Sequence, residues 1–406
     1  MNISQLRIQN FVSHGDTSLD KLELVTVLVG PNGSGKSSLF EAIRTFSRLL
    51  IGPVGQAFGP PPYSFDDKLH RGAAQRAMAF DAMLTDPGFP VGVTYSITIG
   101  YTGKEPTGSA PSILSEVVKL DDSIVFDRQA RKIDIPGVQW SSITPHQSLL
   151  ATIRPVARNA QMQLPMVLAS LARKAGSVVN YRLEPRQLCM PSQDPDLDSP
   201  MRMGYEGDNL AACLYWLDER FPDILNGIVN DLRLVVPTLR GITFNRVGVD
   251  RVGFAFEYND SRDRVLAANA SSGTLLLLGL ITLLKWPTRP AIACIEEPET
   301  GLTPDAVRLF FQLLCDAAST QEGANRTQFL FSSHSPFVLV DAWNLLSENR
   351  SFIKRLHVAA GRTVAEDIES IIARGDSGAV LQRDKNGRSI LGLKSAEELM
   401  CGRFLP

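Results

Sequence analysis

Gly30-Pro31-Asn32-Gly33-Ser34-Gly35-Lys36-Ser37 decides how this chain is read. The stretch fits G-x-x-x-x-G-K-[ST] and lies between the apolar run Leu22–Val29 and the helical pattern Ser38-Leu39-Phe40-Glu41-Ala42-Ile43. Glycines at this spacing let consecutive backbone N–H groups turn inward around phosphates, and the following helix N-terminus adds its dipole. A chance match in a chain of average composition is on the order of one in fifty, and the strand–loop–helix setting lowers that further. The reading assigns Asn32, Gly33, Ser34, Gly35, Lys36, Ser37 and Ser38 to nucleotide binding. Lys36 reaches the β- and γ-phosphates and takes part in catalysis, and the Ser37 hydroxyl binds Mg²⁺.

Outward from this loop, two further stretches carry matching chemistry. Ala291-Ile292-Ala293-Cys294-Ile295-Glu296-Glu297-Pro298-Glu299 is an apolar strand ending in acids. In a P-loop ATPase the first acid, Glu296, holds the metal and the next, Glu297, orients and deprotonates the attacking water. Alone such a strand end is common; paired with the loop it is a strong signal. A second apolar strand then leads into Phe331-Ser332-Ser333-His334-Ser335-Pro336. Upstream, Asn269-Ala270-Ser271-Ser272-Gly273-Thr274 opens the apolar run Leu275–Leu284, which reads either as an anion-binding helix N-terminus or as a plain N-cap.

Composition narrows the function classes. The 406 residues suffice for two or three domains, or for one domain with large insertions, and 44% are hydrophobic and 21% charged. A net charge of -2 gives no whole-chain signal for nucleic acid or an anionic membrane. Cys189, Cys213, Cys294, Cys315 and Cys401 are scattered, which predicts reduced thiols and no structural zinc site. The N-terminus lacks the pattern of a secretory leader, and the apolar run at 275–284 is too short to span a bilayer. A cytoplasmic protein with no membrane partner is expected.

Along the chain, residues 1–60 read as an N-terminal ATPase lobe. A Gly/Pro-rich loop leaves it over 51–65, and a central region spans 61–250, β-rich at about 75–140 and helical at about 145–235. Residues 251–406 read as the C-terminal lobe, with a helix at Thr274–Leu284, a strand at Ala291–Ile295, a helix at Pro304–Ala317 and a strand at Gln328–Ser332. The expected fold is α/β: a two-lobed ATPase head of the P-loop NTPase class, interrupted by a long central insertion of β-rich and helical segments.

Together these stretches resemble the ABC-type ATPase heads of the RecF, structural-maintenance-of-chromosomes and OLD group, most nearly the stand-alone ATPases called AAA-21 or AAA-15. NFVSHGDTSLDKLELVTVLVGPNGSGKSSLFEAI looks like the opening lobe of that group, IEEPETGLTPDA like its Walker B strand and D-loop, SSHSP like its switch histidine, and ASSGTLLLL like its signature. YRLEP and GDNLAACLYWL look like its central region. The resemblance implies an ATP-dependent homodimer, each ATP lying between Lys36 and Ser37 of one protomer and Ser271 and Gly273 of the other. It makes His334 a sensor of the γ-phosphate and catalytic, and puts Asp305 or Thr303 near the dimer interface. Ser13 and His14 match positions lining the nucleotide, or else form an exposed turn; Gln147 is a candidate for the glutamine linking Mg²⁺ to the moving lobe. Two departures bear on the rate of hydrolysis: Glu296 replaces the usual Asp, and Ala270 and Ser272 stand where Leu and an acid are commoner.

The favoured function is an ATP-driven switch or clamp in DNA repair or anti-phage defence, with double-stranded DNA or a separate effector protein as partner. The alternative is an ATP-bound regulatory scaffold with slow turnover that holds a toxin or nuclease. A transporter subunit fits less well, because it keeps the signature nearer the Walker A loop. The stretch after His334 is short for a nuclease domain, so Glu366, Asp367, Glu369, Asp376 and Asp384 are expected to be a solvated surface.

Overall fold

In the computed structural model, Val25–Val29 is a strand of five residues, four of them buried, at the centre of a six-stranded sheet. Residues 1–59, 64–86, 89–101, 110–135, 138–155, 165–259, 264–319, 326–345, 353–359, 362–374, 381–383 and 389–401 are described. The sheet order is Arg362–Asp367, Ile353–Ala359, Val25–Val29, Gln328–Ser333, Ile292–Glu296, Val178–Tyr181. All pairings are parallel except that of Arg362–Asp367, which runs antiparallel on the edge. A parallel sheet is covered on both faces, so its strands read as unbroken apolar runs. The side-chain period of two divides them between two cores. Leu28, Cys294 and Leu330 belong to one, and Val27, Ile295 and Phe331 to the other.

The first core is closed by the helix Lys36–Leu49 and a seven-stranded antiparallel sheet. Asn2–Phe11 and His14–Leu19 form one end of that sheet, and strands between Ala77 and Ile133 form the rest. The β-rich segment near 75–140 is thus continuous with the N-terminal hairpin through the pairing of Asn2–Phe11 with Ala77–Asp86. Ala77–Asp86 alternates without a break, burying Met78, Phe80, Ala82 and Leu84. Phe46 of the helix packs on Phe80 at 5.8 Å and on Tyr95 at 6.2 Å between ring centroids. Below them the buried Glu116 carboxylate accepts bonds from Tyr95, Arg128 and the backbone N–H of Leu149.

The second core gathers the helices Leu210–Arg220, Pro222–Arg233, Ser272–Lys285, Pro304–Ser319 and Pro336–Leu345 with the hairpin Leu239–Val247/Arg251–Tyr258. Ser272–Lys285 is buried along its whole length from Leu275 to Leu284, which accounts for its unbroken apolar run. Each fully buried leucine there contributes roughly 1.5–3 kcal/mol. Among the described residues no helix is long and apolar enough to cross a membrane. Cys189, Cys213, Cys294 and Cys315 are free thiols.

The stretch 145–178 differs from its helical reading. Helices occupy Leu149–Ile153 and Met166–Lys174, residues 156–164 lie outside the described residues, and Val178–Tyr181 enters the parallel sheet beside Ile292–Glu296. Four residues after a Gly-Ser pair carry too little periodicity to announce a strand, and pairing partners far along the chain decide it. Similarly, the Gly/Pro-rich 51–65 segment holds a single helical turn at Val54–Ala57 and the start of another, Phe65–Lys68.

Candidate functional site

The C-terminal ends of the parallel strands gather the polar residues of the sequence motifs on one rim, where open α/β sheets bind ligands. From Val29 the chain enters the Gly-rich loop and turns into the helix at Lys36, with Gly35 as N-cap and no side chain capping the first turn. The free N–H groups of that turn are left for an anion. Gly35 has φ 98°, and a Cβ there would lie 2.3 Å from Thr363 Oγ1. At Gly30 a Cβ would lie 2.2 Å from the Leu356 carbonyl oxygen. The back of the loop is therefore pressed onto the paired strands Ile353–Ala359 and Arg362–Asp367, while Gly33 faces open space.

Lys36 is buried and its Nζ donates to the carbonyls of Gly30 at 2.8 Å and Pro31 at 2.9 Å. Burial pushes its pKa down, opposed by Glu297 and Glu299. The Ser34 hydroxyl is buried with no hydrogen-bond partner among the described residues. The loop therefore offers a curled lysine, an unsatisfied hydroxyl and unpaired N–H groups, a donor set that fits a chain of phosphates.

Ser37 Oγ donates to Glu296 Oε2 at 2.7 Å, bringing both expected metal-binding residues together. Oxygen donors of this kind suit Mg²⁺. Parallel register explains the neighbouring pair. Glu296 lies opposite Ser332, so Glu297 and His334 both emerge just past the sheet. His334 Nδ1 is 3.2 Å from Glu297 Oε1, and Glu297 N–H donates to the Ser332 carbonyl at 3.0 Å. Glu297 adopts φ 45°, a left-handed conformation uncommon outside glycine that turns its carboxylate toward the histidine.

Residues that sequence reasoning left unassigned also reach this rim. Tyr205 OH donates to the other Glu296 oxygen at 3.2 Å, and its pKa is pushed up to about 12 by burial and by Glu296. Asn180, buried, and Arg182, exposed, end the strand beside Ile292–Glu296. With Ser37, Tyr205 and Glu296 they line a cleft of about 370 Å³. Asn180 Oδ1 has no hydrogen-bond partner among the described residues. Glu299 accepts a bond from Ser333 Oγ at 2.6 Å, and burial raises its pKa. The YRLEP stretch and the third acid of Glu296-Glu297-Pro298-Glu299 were the available signals; neither spacing says which side chain turns to the rim.

Ser13 and His14 lie behind the phosphate loop. Ser13 Oγ is 2.7 Å from Ser38 Oγ, and Ser38 Oγ is 3.3 Å from His14 Nε2. His14 is fully buried rather than in an exposed turn, and burial holds its pKa down at about 4. Gln147 does not line the cleft: it bridges Pro53, and its carbonyl accepts a bond from Arg128 at 2.8 Å. Its stretch joins the antiparallel sheet to the core and never reaches the rim of the parallel one.

Ser271 is the N-cap of Ser272–Lys285, its hydroxyl accepting from Thr274 N–H at 3.1 Å. Neither Ser271 nor Gly273 lines the cleft with Ser37; Gly273 instead packs by the Gly301 carbonyl. Ser271, Thr303 and Asp305 are exposed. Of the C-terminal acids, Glu366 pairs with Arg374, Asp367 pairs with Lys354, and Glu369 is exposed. Asp376 and Asp384 lie outside the described residues. No cluster of three metal-ligating side chains occurs among the described residues.

Residues 1–76 match the family model described as "AAA ATPase domain", and residues 189–341 match "AAA domain, putative AbiEii toxin, Type IV TA system". The chain is 32% identical over 122 residues to Structural maintenance of chromosomes protein 1 of Arabidopsis thaliana, covering 30% of this chain and 10% of that protein. It is 27% identical over 138 residues to the DNA double-strand break repair Rad50 ATPase of Methanococcus maripaludis, covering 30% and 12%. A third similarity, 39% over 54 residues, is to the DNA replication and repair protein RecF of Chlorobium luteolum, covering 13% and 15%. The matches thus span a small part of each relative. In structure, the chain is similar to an SMC head bound to the C-winged helix domain of ScpA, with a TM-score of 0.51 at 13% identity, covering 91% of this chain and 99% of that one. This likeness shows a shared fold. In fold and motifs the chain belongs with the SMC/RecF-like P-loop ATPases.

Proposed function

We propose that the chain hydrolyses ATP at the Ser37–Glu296–Glu297–His334 rim and uses the cycle to close and open a homodimer. The observation that carries this reading is the meeting of both acids with their partners, Ser37 Oγ–Glu296 at 2.7 Å and His334–Glu297 at 3.2 Å. Loop N–H groups and Lys36, released from the Gly30 and Pro31 carbonyls, would hold the β- and γ-phosphates. Ser37 and Glu296 would hold Mg²⁺, which when bound neutralises charge developing on the phosphates. Glu297 orients a water and takes its proton as the water oxygen bonds to the γ-phosphorus. The bond from that phosphorus to the β–γ bridging oxygen breaks, leaving ADP and phosphate. His334 holds the Glu297 carboxylate in place.

Ser271, exposed, and Gly273, half-buried, neither of which lines the chain's own cleft, would complete the site of a second protomer, with Thr303 and Asp305 at the interface. Phe337, 61% exposed one turn beyond His334, would lie on the same face. Such a dimer would act as a switch or clamp in DNA repair or anti-phage defence, on double-stranded DNA or through a separate effector. The test compares wild type with Glu297→Gln for turnover and ATP-dependent dimerisation, with and without double-stranded DNA. Glu297→Gln should lower turnover by about 100-fold or more and accumulate the ATP-bound dimer. A wild type that binds ATP but neither hydrolyses it nor dimerises would favour the regulatory scaffold instead.

A further inference from the structure

The cleft beside Glu296 extends well past the metal-binding end. Ser37, Glu41, Arg44, Thr45 and Arg48 line it from the helix Lys36–Leu49. Their spacing puts all five on one helical face, a wall about 16 Å long at 1.5 Å per residue. Arg182 faces them from the end of Val178–Tyr181, with the buried Asn180 beside it. Three guanidinium groups therefore look into the part of this cleft that lies beyond Ser37 and Ser38.

The cleft's acids are already engaged. Glu41 is paired with Lys68 and offsets only part of the charge on Arg48, and Glu296 accepts from Ser37 and Tyr205. Among the described residues neither Arg44 nor Arg48 has a carboxylate within ion-pair distance. Arg48 is half-buried, and among the described residues its guanidinium makes one hydrogen bond, a long 3.5 Å contact to the Ala57 carbonyl. Among the described residues the Arg182 guanidinium has a single ion pair, a loose 3.8 Å contact with the exposed Glu184. Like charge on neighbouring arginines and partial desolvation both cost free energy until an anion arrives. Planar guanidinium groups in forked array favour phosphate over a spherical anion.

We infer that this cleft is a second anion site, in which Arg44, Arg48 and Arg182 bind a phosphate-bearing ligand alongside the nucleotide held by the Gly-rich loop. The site stands on its own charges and walls and does not require hydrolysis at Glu297. Two sources share this chemistry, a free polyphosphate and the backbone of a nucleic-acid strand.

The test uses the full chain with its loop filled by a non-hydrolysable ATP analogue and excess Mg²⁺. Binding of a fluorescent single-stranded oligonucleotide is read by anisotropy at two salt concentrations, and of sodium tripolyphosphate by calorimetry. Arg44→Glu, at an exposed position, is compared with wild type, and Arg44→Ala/Arg48→Ala serves as a second variant. At least one probe should bind, and Arg44→Glu should weaken it by about ten-fold or more, the equivalent of about 1.4 kcal/mol. Affinity for a fluorescent ATP analogue at the loop, measured separately, should not change. Binding of the oligonucleotide assigns the site to a strand, and binding of tripolyphosphate alone assigns it to a small anion. If neither probe binds, or if both variants bind as wild type does, the second site is refuted. Loss of ATP-analogue binding in Lys36→Ala with the probe still bound separates this site from the loop.

Discussion

Replacing His14 by glutamine should remove a defined part of the acid sensitivity of folding. The His14 ring is fully buried between Thr17 and Ser38, and burial holds its pKa at about 4 against an ordinary 6.5. As pH falls below 6.5 the unfolded chain takes up a proton that the folded chain refuses. The stabilisation is therefore whole above pH 6.5 and is lost as pH falls toward 4. The full gap corresponds to about 3 kcal/mol, of which about 2 kcal/mol is lost between pH 7 and pH 5. Urea unfolding of wild type and His14→Gln at these two pH values measures it. The substitution has its own cost, but that cost is nearly the same at both pH values and cancels in the difference. Contributions from Glu116 and Glu299, whose pKa values burial raises, run the opposite way and cancel too. Wild type should lose about 2 kcal/mol more than the variant on going from pH 7 to pH 5. Equal losses, or a His14 ring that titrates near 6.5 by NMR in the folded protein, would refute the reasoning.

Two further substitutions probe the rim. Tyr205→Phe removes one hydrogen bond to Glu296, which at a half-exposed site is worth about 1 kcal/mol. The Mg²⁺ concentration giving half-maximal turnover should rise about five-fold with ATP affinity unchanged; a magnesium titration that overlays wild type would remove Tyr205 from the site. Gly35→Ala sets a Cβ 2.3 Å from Thr363 Oγ1 at φ 98°, so nucleotide affinity should fall by about ten-fold or more. Adding Thr363→Ala relieves the closest overlap but leaves Ser13 Oγ at 2.9 Å and the backbone strain, and part of the affinity should return; no recovery would show that Thr363 does not brace the loop.

Much of the site was legible because its parts are local. The Gly-rich loop needs only a strand, a tight turn and a helix within residues 25–49, and all three are contiguous. The apolar run at Leu275–Leu284 likewise announced a wholly buried helix. The acids Glu296 and Glu297 and the histidine at 334 were placed by strand ends, which apolar runs mark well. These stretches also led to the SMC/RecF-like resemblance, with which the family matches agree.

What local pattern determined on its own was the phosphate loop, its strand and helix, and the two acid- and histidine-bearing strand ends, since each is set by neighbours a few residues away. Only the tertiary structure decided which distant side chains meet them. Tyr205 reaches Glu296 from 91 positions away, and Ser37 reaches it from 259. Val178–Tyr181 is a strand because Ile292–Glu296 offers it an edge, and that pairing brings Asn180 and Arg182 to the rim while Gln147 stays behind at Pro53. His14 is likewise buried through Ser38 and Thr17, whose hydroxyl donates to the Thr363 carbonyl. Chain spacing records neither the register of parallel strands nor the burial of a polar group, because both are set by what the rest of the chain packs against them.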